Sequence, residues 1–193
     1  MKTSLIIATR NQGKIKEFRE LLSEFNINIL SQPDFIQINE NGNTFAENAR
    51  IKALEVSGIT GEYSLADDSG LCVDSLNGAP GIYSSRYAST DSERISKLLN
   101  ELKNFENRKA RFNAAICIAK KGKVILEVEG KCEGLITYLP RGSNGFGYDP
   151  IFEVLETGLT FAEMESEKKK TYGHRGIAFK LLKPGLNKLF EIG

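Results

Sequence analysis

Two adjacent carboxylates, Asp67 and Asp68, stand in the stretch SLADDSGLCVDSL, after a short apolar run and before Ser69-Gly70. Paired acids suit a hard divalent cation such as Mg2+, which takes a few carboxylate oxygens and keeps water or phosphate on its other positions. Asp-Ser-Gly is equally good turn chemistry, because Asp and Ser side chains accept from nearby amides and glycine tolerates positive φ. Neighbouring residues on a strand face opposite sides. The two acids therefore share a target only if the strand has ended and the Ser69-Gly70 turn bends both inward. Otherwise one faces a cleft and the other supports it.

Three further stretches carry chemistry. ATRNQGK, residues 8–14, reads as a loop between a strand and a helix, in which Asn11, Gly13 and Lys14 offer backbone N–H groups, a helix N-terminus and an ammonium to a phosphate. It lacks the Gly-x-x-x-x-Gly-Lys-Ser/Thr pattern, and a plain surface turn explains the same residues. In GSNGFGYDP, residues 142–150, three glycines allow close backbone approach, Phe146 and Tyr148 supply flat faces, and Asp149 can accept from ring or amino N–H groups. The alternative is a glycine-rich turn whose aromatics enter the core. In KKKTYGHRG, residues 168–176, the single histidine, His174, lies beside Arg175 at a helix start, although a lysine run is ordinarily a solvated face. Together the four stretches outline a nucleoside triphosphate site.

Alternating strand and helix patterns must position them. TSLIIA reads as a buried strand, and GKIKEFRELLSEF follows with Ile15, Phe18, Leu21, Leu22 and Phe25 at helical spacing. Thr44-x-x-Glu47 opens a second helix ending at Gly58, and YSLAD is a strand leading into the acidic pair. Thr90-x-x-Glu93 opens a third helix, and RFNAAICIAKKGKVILEVEGKC predicts a hairpin turning at Lys121-Gly122. TFAEMESEKKK predicts a short helix capped at Thr160 and Glu163, and HRGIAFKLLK a last helix stopped by Pro184-Gly185. The fold class is α/β with a mixed sheet, and no linker interrupts it. One domain of two lobes, with a cleft between them, is expected.

Composition narrows the function. The 193 residues balance 26 Lys and Arg against 25 Asp and Glu, a formal charge of +1 that argues against a broad nucleic-acid-binding face. The apolar run at Leu5 to Ala8 is too brief for a signal-peptide core or a membrane span, so a cytoplasmic protein without a membrane partner is expected. Cys72, Cys117 and Cys132 show no C-x-x-C spacing and read as reduced thiols.

ATRNQGKIKEF, TFAENARIKA, LADDSGLCVDSLNGAPGIYSSRYA, GSNGFGYDPIF and GHRGIAFKLL occur in one order from residue 8 to about 182. In this order they resemble the signatures of the inosine triphosphate pyrophosphatase family, also called dITP/XTP diphosphatases. The resemblance implies one elongated domain over 1–193, built on a strongly twisted mixed sheet with helices packed on it around a central active-site cleft. It also implies a homodimer that uses Mg2+ to hydrolyse ITP, dITP and XTP to monophosphate and pyrophosphate, which clears deaminated purines before they enter DNA and RNA.

Carried over residue by residue, the triphosphate run falls on Thr9, Arg10, Asn11, Gln12, Gly13 and Lys14, with Lys14 the strongest contact. Asp68 falls on the proton acceptor and metal ligand, with Asp67 as its catalytic helper, and Glu40 on a metal-linked acid. Ser69 matches a substrate contact, Phe146, Gly147, Tyr148 and Asp149 the nucleoside-binding run, and Lys169, His174 and Arg175 the base contacts. His174 and Arg175 would donate to the O6 of hypoxanthine or xanthine and leave adenine's amino group unpaired.

Three positions depart from the family pattern. Arg10 adds a phosphate contact or faces water, Gly173 replaces a serine and puts one hydroxyl contact or cap in doubt, and Pro184-Gly185 interrupts the terminal helix. Two other functions fit parts of the pattern. A nucleotide-binding regulator without catalysis has little reason to keep Asp68 beside Glu40, and a metal-dependent phosphoesterase acting on nucleic acid would need a broader basic face.

Overall fold

A computed structural model of the chain describes residues 2–190. In chain order the elements are β1 (Ser4–Ile7), α1 (Gln12–Leu21), β2 (Asn28–Ser31), α2 (Phe45–Thr60), β3 (Tyr63–Val73), α3 (Asp91–Glu101), β4 (Lys109–Lys120), β5 (Lys123–Ile136), β6 (Phe152–Val154), α4 (Ser166–Tyr172) and α5 (His174–Phe190). The strands form one sheet in the order β2-β1-β3-β4-β5-β6. It is mixed: β1 runs parallel to β2 and β3, while β5 and β6 are antiparallel. The expected α/β class and mixed sheet are both present. The described residues divide into two compact units, one of 2–68, 114–130 and 178–190 and the other of 69–113 and 131–177.

In the first unit, the period-two alternation of strands separates two apolar clusters. Leu5, Ile7, Leu65, Ile116 and Ile118 join Phe18 and Leu22 of the α1 region and Leu182 and Leu186 of α5. Their sequence neighbours Ile6, Ala8, Ala66, Ala115 and Cys117 pack instead with Ala49, Ala53 and Val56 of α2. Covered on both faces, β1 has to be a continuous apolar run, and LIIA is one. Strand order reverses at β1, whose carboxyl end is where an open α/β sheet leaves room for a ligand. The second unit has its own core, in which Leu98 and Leu102 from the α3 region meet Phe112, Phe152, Phe161 and Tyr148.

Local signals set most element starts. Asn11 caps α1 by accepting from the Lys14 N–H, and Thr44 caps α2 by accepting from Glu47 N–H. Thr90 and Glu93 form the full reciprocal box on α3. The hairpin turns at Lys121-Gly122 as expected, between β4 and β5.

Four expected boundaries moved. Helix α2 passes Gly58 and stops at Gly61, whose φ of 71° supplies the left-handed cap. The TFAEMESEKKK helix is split: the Thr160–Glu163 box closes a 3-10 turn, Met164 is extended, and α4 starts at Ser166. The predicted turn at Ser69-Gly70 does not form, because β3 runs unbroken through the acidic pair to Val73. Helix α5 continues through Pro184 to Phe190. An internal proline costs a helix about 3 kcal/mol, but each large apolar side chain buried returns about 1.5–3 kcal/mol. Phe179, Leu182, Leu186 and Phe190 of α5 are all buried.

Candidate active site

Strand β1 stops pairing with β3 at Leu65, so Asp67 and Asp68 lie on β3 just beyond the end of β1, beside the loop that opens α1. Alternation sends the two carboxylates to different partners, as strand geometry requires. Asp67, with its side chain fully buried, pairs with the Lys14 ammonium at 2.7 Å. Asp68 Oδ1 lies 3.2 Å from the Lys52 ammonium, and its Oδ2 accepts from the Asn48 amide at 3.2 Å.

The rest of the loop is organised by its own hydrogen bonds. Thr9 Oγ1 accepts from the Asn11 N–H at 3.2 Å, the Asn11 side chain accepts from the Lys14 N–H at 3.1 Å, and Gln12 Nε2 reaches the Arg10 carbonyl at 3.5 Å. Gly13 falls in the first turn of α1, whose N-terminus favours an anion. Arg10 donates to the carbonyls of Asp34 at 2.7 Å and Ile36 at 3.1 Å. Its guanidinium therefore ties this loop to the segment that leads to Glu40.

Lys52 and Asn48 were not singled out from the sequence. They stand four apart on α2, so they share one face, and both are buried. Polar residues at that spacing on an otherwise apolar face were the available signal. Lys52 also lies 3.1 Å from Glu40 Oε2, so one ammonium joins the two acids expected to hold metal. Asn48 Oδ1 accepts from the Gly42 N–H at 2.8 Å, which orients its amide nitrogen toward Asp68. Burial pushes the Asp68 carboxyl above the ordinary aspartate range, with the Lys52 and Lys14 charges opposing that rise.

A second cluster lies in the second unit. Asp149 is buried, and its Oδ2 accepts from the Phe146 N–H at 2.9 Å and pairs with the Lys169 ammonium at 2.6 Å. Gly145 makes this possible: at φ 79° a Cβ there would sit 1.9 Å from Asp149 Oδ2. The Phe146 ring is half-buried, with the Lys169 ammonium 4.9 Å and the Arg175 guanidinium 5.6 Å from its centroid. Arg175 donates to Ser69 Oγ at 2.6 Å. Ser69, Phe146, Asp149, Lys169 and Arg175 are thus one linked group.

Tyr148 and His174 behave differently. Tyr148 is a core residue whose hydroxyl donates to the Ser84 carbonyl at 3.0 Å, so of the two expected aromatic rings Phe146 is the one outside the buried core. The His174 ring is buried and stacks on Phe112 at 4.7 Å between centroids. At Gly173 a Cβ would come 2.6 Å from the Lys169 carbonyl, so a serine here would press on the segment that carries Lys169.

A lysine at a helix N-terminus beside buried acids, where the strand order reverses, is the layout of an α/β nucleotide-handling protein. Residues 5–185 match the Ham1 family, and the chain belongs to that family. A dITP/XTP pyrophosphatase of Prochlorococcus marinus strain NATL1A is 64% identical over 185 residues, covering 96% of this chain and 94% of its own. Among solved structures, a HAM1 protein from Coxiella burnetii superposes with a TM-score of 0.87 at 41% identity, covering 96% of this chain and 99% of its own. The Staphylococcus aureus Ham1 protein gives 0.86 at 36% identity, with 97% and 100% covered. No described helix is long and apolar enough to cross a membrane.

Proposed function

We propose that the chain is a Mg2+-dependent pyrophosphatase that hydrolyses dITP, XTP and ITP to the nucleoside monophosphate and pyrophosphate, as a cytoplasmic homodimer. The observation that carries the activity is the 64% identity, over nearly the whole of both chains, to a dITP/XTP pyrophosphatase. Three free cysteines agree with a reducing compartment. The dimer rests on the family alone and is tested by light scattering on the purified protein.

The donor set fits Mg2+. Among the described residues no group of three or more His, Cys, Asp or Glu side chains is disposed around one metal position. Glu40 and Asp68 nonetheless converge on one cationic atom, the Lys52 nitrogen, within 3.2 Å. Two carboxylates suffice for Mg2+ when water and substrate phosphate complete its shell. Bound by Asp68 and Glu40, the ion would offset phosphate charge and steady the pyrophosphate leaving group.

The chain's own groups do the rest. Lys14, paired with Asp67, and the α1 N-terminus attract the triphosphate. Asp68 orients the attacking water and takes its proton. Burial has already raised its proton affinity, which suits that task. Water adds at the α-phosphorus, the bond to the bridging oxygen breaks, and the electron pair leaves on pyrophosphate. Asn48 and Lys52 fix the Asp68 carboxylate during the step. In the second unit, Phe146 would stack on the purine while Arg175 and Lys169 offer donors to O6, so adenine's amino group would face donors alone.

The test is pyrophosphate release from dITP, XTP, ITP, ATP and GTP, with Mg2+ and with EDTA. Release from the first three at rates at least tenfold above ATP, abolished by EDTA, is expected, since a buried polar group left unpaired costs about 1–3 kcal/mol. Equal rates with ATP would overturn the base selectivity, and orthophosphate as first product would overturn the cleavage site.

A further inference from the structure

Asp91 opens α3, outside every residue given a chemical role above. Its Oδ2 accepts from the Gly147 N–H at 2.8 Å, across 56 positions of sequence. Its Oδ1 accepts from the Arg94 guanidinium. The N–H one residue earlier in the loop, that of Phe146, goes to Asp149 Oδ2 at 2.9 Å. The two peptide planes flanking the Phe146 Cα are therefore each tied to a carboxylate, one from within the loop and one from α3. Because peptide planes are rigid, holding both fixes φ and ψ of Phe146 and so the direction in which its ring leaves the backbone. That ring carries Lys169 and Arg175 on its face.

Asp91 is itself held. The Thr90–Glu93 box fixes the start of α3, and Leu98 in its last turn is buried in the second unit's core. The helix N-terminus favours a negative charge at this position. Gly147 follows at a φ of 62°, a left-handed conformation that glycine adopts without strain.

We propose that Asp91 is a positioning residue for base recognition, holding the peptide between Phe146 and Gly147 so that the Phe146 ring, with Lys169 and Arg175 over it, is preset to receive the purine. The inference rests on the reading that this loop takes the base.

Steady-state hydrolysis of ITP by the full chain tests it, with inhibition by inosine monophosphate and by pyrophosphate measured alongside. The Asp91 side chain is 47% exposed, so one moderately strong hydrogen bond is at stake. Asp91→Ala should raise KM for ITP and Ki for inosine monophosphate about fivefold, leave kcat within about twofold, and leave Ki for pyrophosphate unchanged. Asp91→Asn, which keeps an oxygen acceptor for Gly147, should return KM to within about twofold of the parent and carries the test if the alanine variant unfolds. An unchanged KM in Asp91→Ala, an equal rise in Ki for pyrophosphate, or failure of Asp91→Asn to recover would overturn the role. Parent protein indifferent to inosine monophosphate would instead overturn the reading of the loop. That measurement comes first and keeps the two failures apart.

Discussion

Replacing Asn48 with alanine removes the one side chain that joins the Gly42 N–H to the Asp68 carboxylate. Asn48 is fully buried, so water does not substitute for it. Each buried polar group left without its partner costs about 1–3 kcal/mol, and the truncation adds a small cavity. A loss of about 3 kcal/mol in unfolding free energy is expected, or roughly 6–12 °C in Tm for a chain of this length. The catalytic effect is separate: Asp68 keeps Lys52 but loses the contact on its other oxygen. Misplacing a reacting group by about 1 Å can cost about 10²-fold, so kcat for ITP should fall by one to two orders of magnitude while KM moves little. Asn48→Asp sharpens the reasoning. It retains an acceptor for Gly42 but sets a second acid against Asp68, so its stability deficit should grow as pH rises and both carboxyls ionise. Urea denaturation and initial-rate kinetics on the same preparations read both effects. Asn48→Ala within about 0.5 kcal/mol and about twofold in kcat of the parent would refute the account.

Other outcomes follow from the same geometry. Asp68→Asn should abolish most turnover yet stabilise the metal-free protein at neutral pH. The folded Asp68 carboxyl titrates above its unfolded value, so the parent loses stability as pH rises past the ordinary 3.8. Unfolding midpoints across pH that fall identically in both proteins would contradict this. Gly145→Ala would force a methyl group into the Asp149 carboxylate, whereas Gly147→Ala meets nothing within 4 Å and bears only the cost of its positive φ. KM for ITP should therefore rise about tenfold in the first and much less in the second, and equal effects would show that Asp149 does not organise the loop. Arg175→Ala should narrow the preference for ITP over ATP by about tenfold or more, and an unchanged ratio would move base recognition elsewhere.

Much of the first unit was legible from sequence because its signals are local. An apolar run followed by Asn11-Gln12-Gly13-Lys14 and a helical period specifies strand, cap and helix without help from distant residues. In the second unit, the Thr90 and Glu93 pattern closed the box it announced. Strand alternation also foretold that Asp67 and Asp68 face different ways, and they meet different partners, one Lys14 and the other Lys52 and Asn48. The ordered signatures from residue 8 to about 182 are enough to place the chain in its family.

Tertiary structure decided where local and global preferences disagreed. Ser69-Gly70 carries a turn signal, in which glycine's local preference is about 1 kcal/mol, and Pro184 a stop signal of about 3 kcal/mol. Sheet pairing of β3 and burial of the apolar face of α5 outweigh those preferences, so both elements continue. Sequence named Arg10 as a phosphate contact or a solvated cation, but only the packed chain shows its guanidinium on the carbonyls of Asp34 and Ile36. The links from Lys52 to Glu40 and from Asp91 to Gly147 likewise join residues 12 and 56 positions apart. Local propensity selects which residues start and cap an element. Which side chains meet across the fold is set by burial and pairing summed over many residues, and no short stretch of sequence contains that sum.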